Sequence, residues 1–316
     1  MTLERPLWPH PRPKCSGRPP PKVPSDVSIV TRSGKHLFVR RRTGVLGLAG
    51  ALVLSVLFVF PGGAHALTPP ENRRALIIGV DKFQGSTRPN FGGAADAADM
   101  REALVRNGFK PENVRVLTDG GAKAADIRAG LAWLVTNSTP STFSVFSYSG
   151  HVIQQGSTES IWPHDNAFIS DKELAASFKA LQGKAWINIS GCEAAGFDEG
   201  VSAPNRLFTA SSQANEKSYE LPSARASVFM MYMVRKGMLT GQADFNRDGR
   251  VSVQEGFRLA AERAPGFTAG QSNGPQHPHI AGGDGAELFL DDPYPVAVAP
   301  PAAPAQVCFL IFCRPA

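Results

Sequence analysis

The chain has 316 residues, with 33 Lys and Arg against 27 Asp and Glu, a formal charge of +6. Residues 1–66 alone carry +8, so the remainder carries −2. The basic balance belongs to the leading segment and gives no support for a nucleic-acid partner; the rest of the chain, about 250 residues, is enough for one well-buried domain.

Residues 1–43 are rich in proline and basic side chains and too poor in apolar ones to fold. An apolar run, Val45 to Phe60, comes next within segment 44–66, which ends in the small-x-small triplet Ala64-His65-Ala66. Basic flank, apolar core and small-residue site together read as an export signal cleaved after Ala66. The alternative is an uncleaved membrane anchor at 44–60 with a cytoplasmic tail, the only expected membrane contact. Arg40-Arg41-Arg42 also permits a twin-arginine route. The product is expected to be secreted or held in the cell envelope.

Over 67–291 the apolar pattern alternates between strands and helices. Arg74–Val80 reads as a buried first strand and Ala94–Asn107 as a helix with Met100, Leu104 and Val105 inward. Val114–Leu117 is a second strand closed by Asp119 or Gly120, and Ala124–Val135 a second helix. Thr142–Phe146 is a third strand. Asp171–Leu181 is a third helix with Ser170 as its cap. Ala185–Ile189 and Arg206–Ala210 are further strands, and Ser227–Lys236 is a methionine-rich helix. This order predicts an α/β fold with a mostly parallel sheet covered on both faces. Residues 292–316 are a Pro/Ala-rich linker and a short apolar tail in which Cys308 and Cys313 either close a small disulfide loop or leave the run to dock on the domain.

Two tetrapeptides carry the chemistry. Tyr148-Ser149-Gly150-His151 comes after the third core strand, and Ser190-Gly191-Cys192-Glu193 after the next. A histidine and a cysteine at the C-terminal ends of two strands of one sheet face one crevice. Such an imidazole takes the thiol proton and the thiolate attacks a carbonyl. His151 and Cys192 are therefore the candidate dyad. No Gly-x-Gly-x-x-Gly comes after the first strand.

These motifs resemble the caspase-like cysteine peptidases, in particular the bacterial metacaspase-like branch. Strand one resembles the family's opening at Ala75–Gly79. Gly92–Met100 resembles its Gly-Cys-x-Asn-Asp-Ala-x-x-Met, with Asp96 kept. Pro163-His164-Asp165 and Asp171–Leu174 resemble the stretch between the dyad residues. The resemblance spans about 72–290. It implies a three-layer α-β-α sandwich and a cysteine endopeptidase acting on peptides or proteins with no cofactor needed for the chemistry. It implies backbone N–H groups of Cys192 and Val152 for the oxyanion, and a substrate pocket drawn from Asp96, Ser149, Ser190, Ser211 and Ser212. The chain departs from the family at three points. Val152 stands where glycine usually comes after the histidine, Ser190 where an aspartate usually precedes the cysteine by two residues, and Ala95 where asparagine is usual. A basic P1 preference would then rest on Asp96.

Residues 244–255 match a calcium-binding EF-hand loop: oxygens from Asp244, Asn246, Asp248, the Arg250 carbonyl, Ser252 and Glu255, with Gly249 at the sharp turn. Phe257–Ala264 supplies the next helix. The alternative to an enzyme is a catalytically silent binding domain or a calcium-stabilised surface module.

Overall fold

The computed structural model describes residues 69–291 together with two short strands at 306–309 and 312–315. The leader 1–43 and the apolar segment 44–66 lie outside the described residues, as does the linker 292–305. Among the described residues no helix is long and apolar enough to cross a membrane.

The elements run β1 (Arg73–Gly79), α1 (Gly93–Arg106), β2 (Val114–Thr118), α2 (Ala124–Thr136) and β3 (Phe143–Ser149). A small antiparallel sheet comes next, of β4 (Val152–Gln155), β5 (Thr158–Ile161) and β6 (Ile169–Ser170). Then come α3 (Asp171–Lys179), β7 (Lys184–Ser190), β8 (Arg206–Ala210) and the hairpin β9 (Glu220–Leu221) and β10 (Ala226–Ser227). The chain continues through α4 (Val228–Met230), a π-helical segment Met231–Met238, α5 (Val253–Thr268) and β11 (His279–Gly282). Strands β12 (Gln306–Phe309) and β13 (Phe312–Pro315) pair antiparallel, with Cys308 opposite Cys313.

The main sheet has the order β11-β8-β7-β3-β1-β2. The five strands β2, β1, β3, β7 and β8 are parallel and β11 closes the edge antiparallel. Alternate side chains enter two cores. Leu76, Ile78, Phe146 and Ile187 pack with Ile127 and Leu131 of α2 and with Leu174 and Phe178 of α3. Ala75, Ile77, Val145 and Trp186 pack with Met100 and Leu104 of α1 and with Met233 and Ala260 behind. The mostly parallel sheet covered on both faces expected from the element order, and the three-layer α-β-α sandwich implied by the family resemblance, are thus present. Strands buried on both faces explain why β1 reads as an unbroken apolar run over Ala75–Ile78, and why the serines of β3 and Asn188 of β7 are buried as well.

Local chemistry sets the element ends. Ser170 Oγ accepts from Glu173 N at 3.2 Å and caps α3, as expected. Asp119 takes a left-handed backbone (φ 45°) after β2, and its carboxylate accepts the Asp81 and Lys82 amides. Asp165 accepts the Ala124 amide and caps α2. At Gly79 a Cβ would lie 2.1 Å from the Gly93 carbonyl, so glycine lets the first turn of α1 close on the end of β1. The methionine-rich helix differs from expectation: after α4 it widens into π winding, and no single side chain explains this.

Candidate active site

Register brings the two tetrapeptides together. In the parallel pair β3–β7, Ser149 is the partner of Ser190, and the Gly150 amide extends the ladder to the Ser190 carbonyl at 3.0 Å. His151 and Cys192 each stand two residues beyond that register pair. Both line one cleft of about 310 Å³, with Arg88, Phe91, Ser149, Ser190, Ser218, Glu220 and Ser227 among its walls.

The histidine is held from three sides. Tyr148 Oη donates to the His151 carbonyl at 2.6 Å and so fixes its backbone. The Phe83 ring stacks on the imidazole at 4.9 Å and 21°, and the Trp162 ring lies 5.8 Å away. Nε2 lies 2.7 Å from the Arg88 carbonyl oxygen. A carbonyl only accepts, so Nε2 carries the proton and Nδ1 of the neutral ring is the free acceptor. Burial pushes the imidazole below its ordinary range and the Arg88 charge adds to this, while the hydrogen bond to Arg88 opposes it.

The cysteine sits on a braced turn. Ser211 Oγ accepts the Gly191 amide at 2.9 Å and lies 2.8 Å from the Gly191 carbonyl. Ser212 Oγ bonds the same carbonyl and accepts the Ala194 amide. A Cβ on Gly191 would meet the Val152 Cγ2 at 2.6 Å and the Gly150 carbonyl at 2.8 Å, so this position has room only for glycine. Glu193 comes next in the left-handed region (φ 50°), and its carboxylate pairs with Lys217. The Cys192 Sγ accepts the Ser218 amide at 3.5 Å and lies 3.9 Å from the Ser218 carbonyl. Burial holds the thiol above its ordinary range; Glu193 and Glu220 push the same way, and the Ser218 bond and Lys217 oppose them. The resting pair is therefore a neutral thiol and a neutral imidazole, with no hydrogen bond between them.

Both expected oxyanion donors are free of the ladder. The Trp162 amide bonds the His151 carbonyl, which makes Val152–Ile161 a non-hydrogen-bonded pair, so the Val152 N–H points away from β5. Val152 is extended, with no positive φ to demand glycine. The Cys192 N–H has no partner among the described residues.

The expected substrate residues separate into two groups. Ser149 and Ser190 line the cleft. Ser211 and Ser212 do not: they are fully buried and spend their hydroxyls on Gly191 and Ala194, because β8 ends beneath the cysteine turn and not beside the cleft. Asp96 is also fully buried, behind Ser149 and Ser227. It accepts the Ser149 hydroxyl at 2.7 Å and the Ser227 amide at 3.2 Å. Burial pushes its carboxyl up to about 8, against the pull of these hydrogen bonds. Direct contact of Asp96 or of Ser211 and Ser212 with a substrate is corrected accordingly. The pattern gives no sign of Phe83, Arg88 and Ser218, which sit in aperiodic loops, or of Glu220, which sits in the two-residue strand β9.

In the 244–255 loop, Asp244 accepts the Asp248 and Gly249 amides, and Asn246 accepts the Asp248 amide. Glu255 reaches into the loop through Oε1, which accepts the Asn246 amide at 3.4 Å. Its carboxylate accepts the Phe245 and Ser252 amides, and Ser252 Oγ accepts the Glu255 amide in a capping box that starts α5. Among the described residues no group of three or more His, Cys, Asp or Glu side chains converges for a metal ion. Phe257–Ala264 falls inside α5.

A caspase domain family model matches residues 72–243, more than half of the chain and inclusive of both dyad positions. The chain belongs to the caspase domain family. Among curated proteins, Metacaspase-1 of Cryptococcus neoformans is 34% identical over 86 residues, covering 25% of this chain and 19% of that one. Metacaspase-1 of Eremothecium gossypii is 30% identical over 122 residues, 33% of this chain and 27% of that one. The matched stretches thus span about a quarter or less of these relatives. Among solved structures, caspase-1 from Spodoptera frugiperda superposes with a TM-score of 0.53 at 14% identity, covering 72% of this chain and 92% of that one. A Geobacter sulfurreducens protein gives 0.51 at 15% identity, covering 67% and 94%. These two likenesses concern the fold alone.

Proposed function

We propose that this caspase domain is a cysteine endopeptidase with His151 and Cys192 as its dyad. The observation that carries the reading is the equal offset of the two residues from the Ser149–Ser190 register pair, opening into one cleft. Sγ attacks the scissile carbonyl while His151 Nδ1 takes its proton. The N–H groups of Cys192 and Val152 hold the oxyanion. The C–N bond then breaks and the imidazolium protonates the departing amine. A water, deprotonated by His151, releases the acyl group as acid. Hydrolysis of a fluorogenic peptide library tests this: activity lost in both Cys192→Ala and His151→Ala supports it, and an equally active Cys192→Ala variant refutes it. One observation favours a silent binding domain, namely that Sγ rests on Ser218 and not on His151. Labelling of Cys192 by a peptidyl electrophile decides between the two.

A calcium ion at 244–255 belongs to the same proposal. The donor set is all oxygen, which suits a hard cation, and the ion requires Glu255 to leave its capping box. Its expected effect is structural. We further propose export, directed by the leader and segment 44–66.

A further inference from the structure

We propose that Gln276 is a positioning residue that seats the Cys192 sulfur by bridging the two ends of loop 211–219. Its part in catalysis rests on the peptidase reading above. Gln276 is fully buried and lies beyond residues 72–243, the stretch that the caspase domain model matches. Its side-chain carbonyl accepts the Tyr219 amide at 3.0 Å, and its NH2 group donates to the Ser211 carbonyl at 2.7 Å. Only this orientation of the side-chain amide sets a donor against each acceptor. Its own backbone N–H donates to Thr268 Oγ1 at 2.9 Å, at the end of α5. One side chain thus closes the loop at both ends and hangs it on α5.

Both ends of the loop bear on the cysteine. Ser211 Oγ holds the amide and carbonyl of Gly191, the residue before Cys192. Ser218 meets the sulfur itself, its N–H at 3.5 Å and its carbonyl at 3.9 Å. That carbonyl and the Tyr219 N–H belong to one planar trans peptide and point in opposite directions. Fixing the N–H on Gln276 therefore fixes the direction of the carbonyl toward Sγ. Neighbouring contacts run the same way: Tyr219 Oη donates to the Gly274 carbonyl at 2.7 Å, and Glu216 accepts the His277 amide at 2.8 Å. His277 is exposed, so water can replace its bond. Gln276 is buried, and its loss leaves its partners unpaired. During attack Sγ gives its proton to His151 Nδ1, and the Ser218 N–H stays on the sulfur as negative charge grows there. Misplacing Ser218 then costs more in the transition state than in the bound substrate complex.

The experiment uses Gln276→Met in the full chain. Methionine fills a similar volume, supplies no N–H and is only a weak acceptor. Iodoacetamide alkylation is followed against pH at the Cys192 peptide by mass spectrometry, without substrate. The charged groups that act on the thiol, Glu193, Lys217 and Glu220, and the cleft residues His151 and Arg88, are unchanged in the variant. The midpoint should rise by about 0.5–1 pH unit, part of the worth of a hydrogen bond to a charged group. Phe178→Leu, in the core beneath α3, serves as a control for loss of stability alone and should lower Tm without moving the midpoint. On peptides that the wild type hydrolyses, Gln276→Met should lower kcat about 3- to 10-fold and leave KM within about twofold. An unmoved or lowered midpoint in folded Gln276→Met overturns the proposal, as does an equal shift in Phe178→Leu. A raised KM at unchanged kcat also overturns it, because Gln276 would then serve substrate binding. A wild type that hydrolyses nothing, with the midpoint shift present, refutes the peptidase reading and supports the seat. If Gln276→Met does not fold, Gln276→Asn is read in the same way, since its amide is one methylene too short to span both partners. Failure of both to fold would assign Gln276 to the fold alone and overturn the proposal.

Discussion

His151 Nε2 is 2.7 Å from the Arg88 carbonyl oxygen, so the proton of the neutral ring sits on Nε2 and Nδ1 is left as the free acceptor. Burial depresses the imidazole below 6.5 and raises the thiol above 9.0. Between those values both groups are neutral, and the proton moves during attack. The acid limb of kcat/KM is therefore expected below pH 6.5, since activity requires the deprotonated ring. Alkylation of Cys192 by iodoacetamide, without substrate, should rise with a midpoint above pH 9.0. Alkylation that stays rapid down to about pH 5 would mean a preformed thiolate–imidazolium pair.

Ser211 braces the turn that carries Cys192 from beneath. Its hydroxyl serves both the amide and the carbonyl of Gly191 and is fully buried. Ser211→Ala leaves that amide unsatisfied, at a cost of about 1–3 kcal/mol. Calorimetry should show Tm lowered by roughly 2–10 °C for a domain of this size. The turn carrying Cys192 also loosens, so kcat should fall with little change in KM. A variant with wild-type Tm and kcat would show that Ser212 alone holds the turn.

Much of the frame is legible in the sequence because parallel strands buried on both faces leave apolar runs, unbroken at Ala75–Ile78 and interrupted only by Asn188 at Ala185–Ile189. The meeting of His151 and Cys192 in one cleft is legible because each comes shortly after a core strand. The cleft walls are not. An aspartate near the start of a helix reads as solvent-facing; only Ser149 and Ser227, 53 and 131 residues away in sequence, bury Asp96. Ser211 and Ser212 stand out as polar residues after a core strand, but the direction of their hydroxyls depends on where the Cys192 turn lies. Strands β4–β6, the β9–β10 hairpin and the antiparallel edge β11 are short segments without a two-residue period, and tertiary pairing alone defines them. Glu193 pairs with Lys217 across a separation no local pattern records.

Asp96 gives the domain a pH-dependent stability of defined sign. Burial raises its carboxyl from 3.8 to about 8 in the folded state. Between those values the folded protein keeps a proton that the unfolded chain has lost, so this group's contribution falls as pH rises through the window. The loss is on the order of a few kcal/mol at 1.36 kcal/mol per pH unit. Asp96→Asn keeps an acceptor for the Ser227 amide and a group to meet Ser149. Urea unfolding at about pH 5 and about pH 8, inside that window, should show a smaller drop in stability for Asp96→Asn than for the wild type. Equal drops would mean that Asp96 is ionised in the folded state throughout this range.

Calcium is expected to stabilise the domain through Glu255. In the loop the carboxylate holds the Phe245 and Ser252 amides, and Asp244 and Asn246 hold the amides of Asp248 and Gly249. An ion drawing in these oxygens exchanges those bonds for coordination, and binding to the folded state alone raises stability by mass action. For a weak site at millimolar calcium the rise in Tm should be a few degrees, by the roughly 1–3 kcal/mol that tens of Kd supply. Glu255→Gln retains an acceptor for the Ser252 amide, so the loss of the calcium increment is separable from loss of the capping box. The measurement is Tm in calcium and in chelator for both proteins. An identical midpoint in the two conditions for the wild type would mean that the loop is held by its own hydrogen bonds. Hydrolysis should change less than Tm, because the loop leads into α5, behind the core that α1 covers, and not into the cleft. If calcium raised kcat at unchanged Tm, the loop would be a switch acting on the cleft, and the structural role would be wrong.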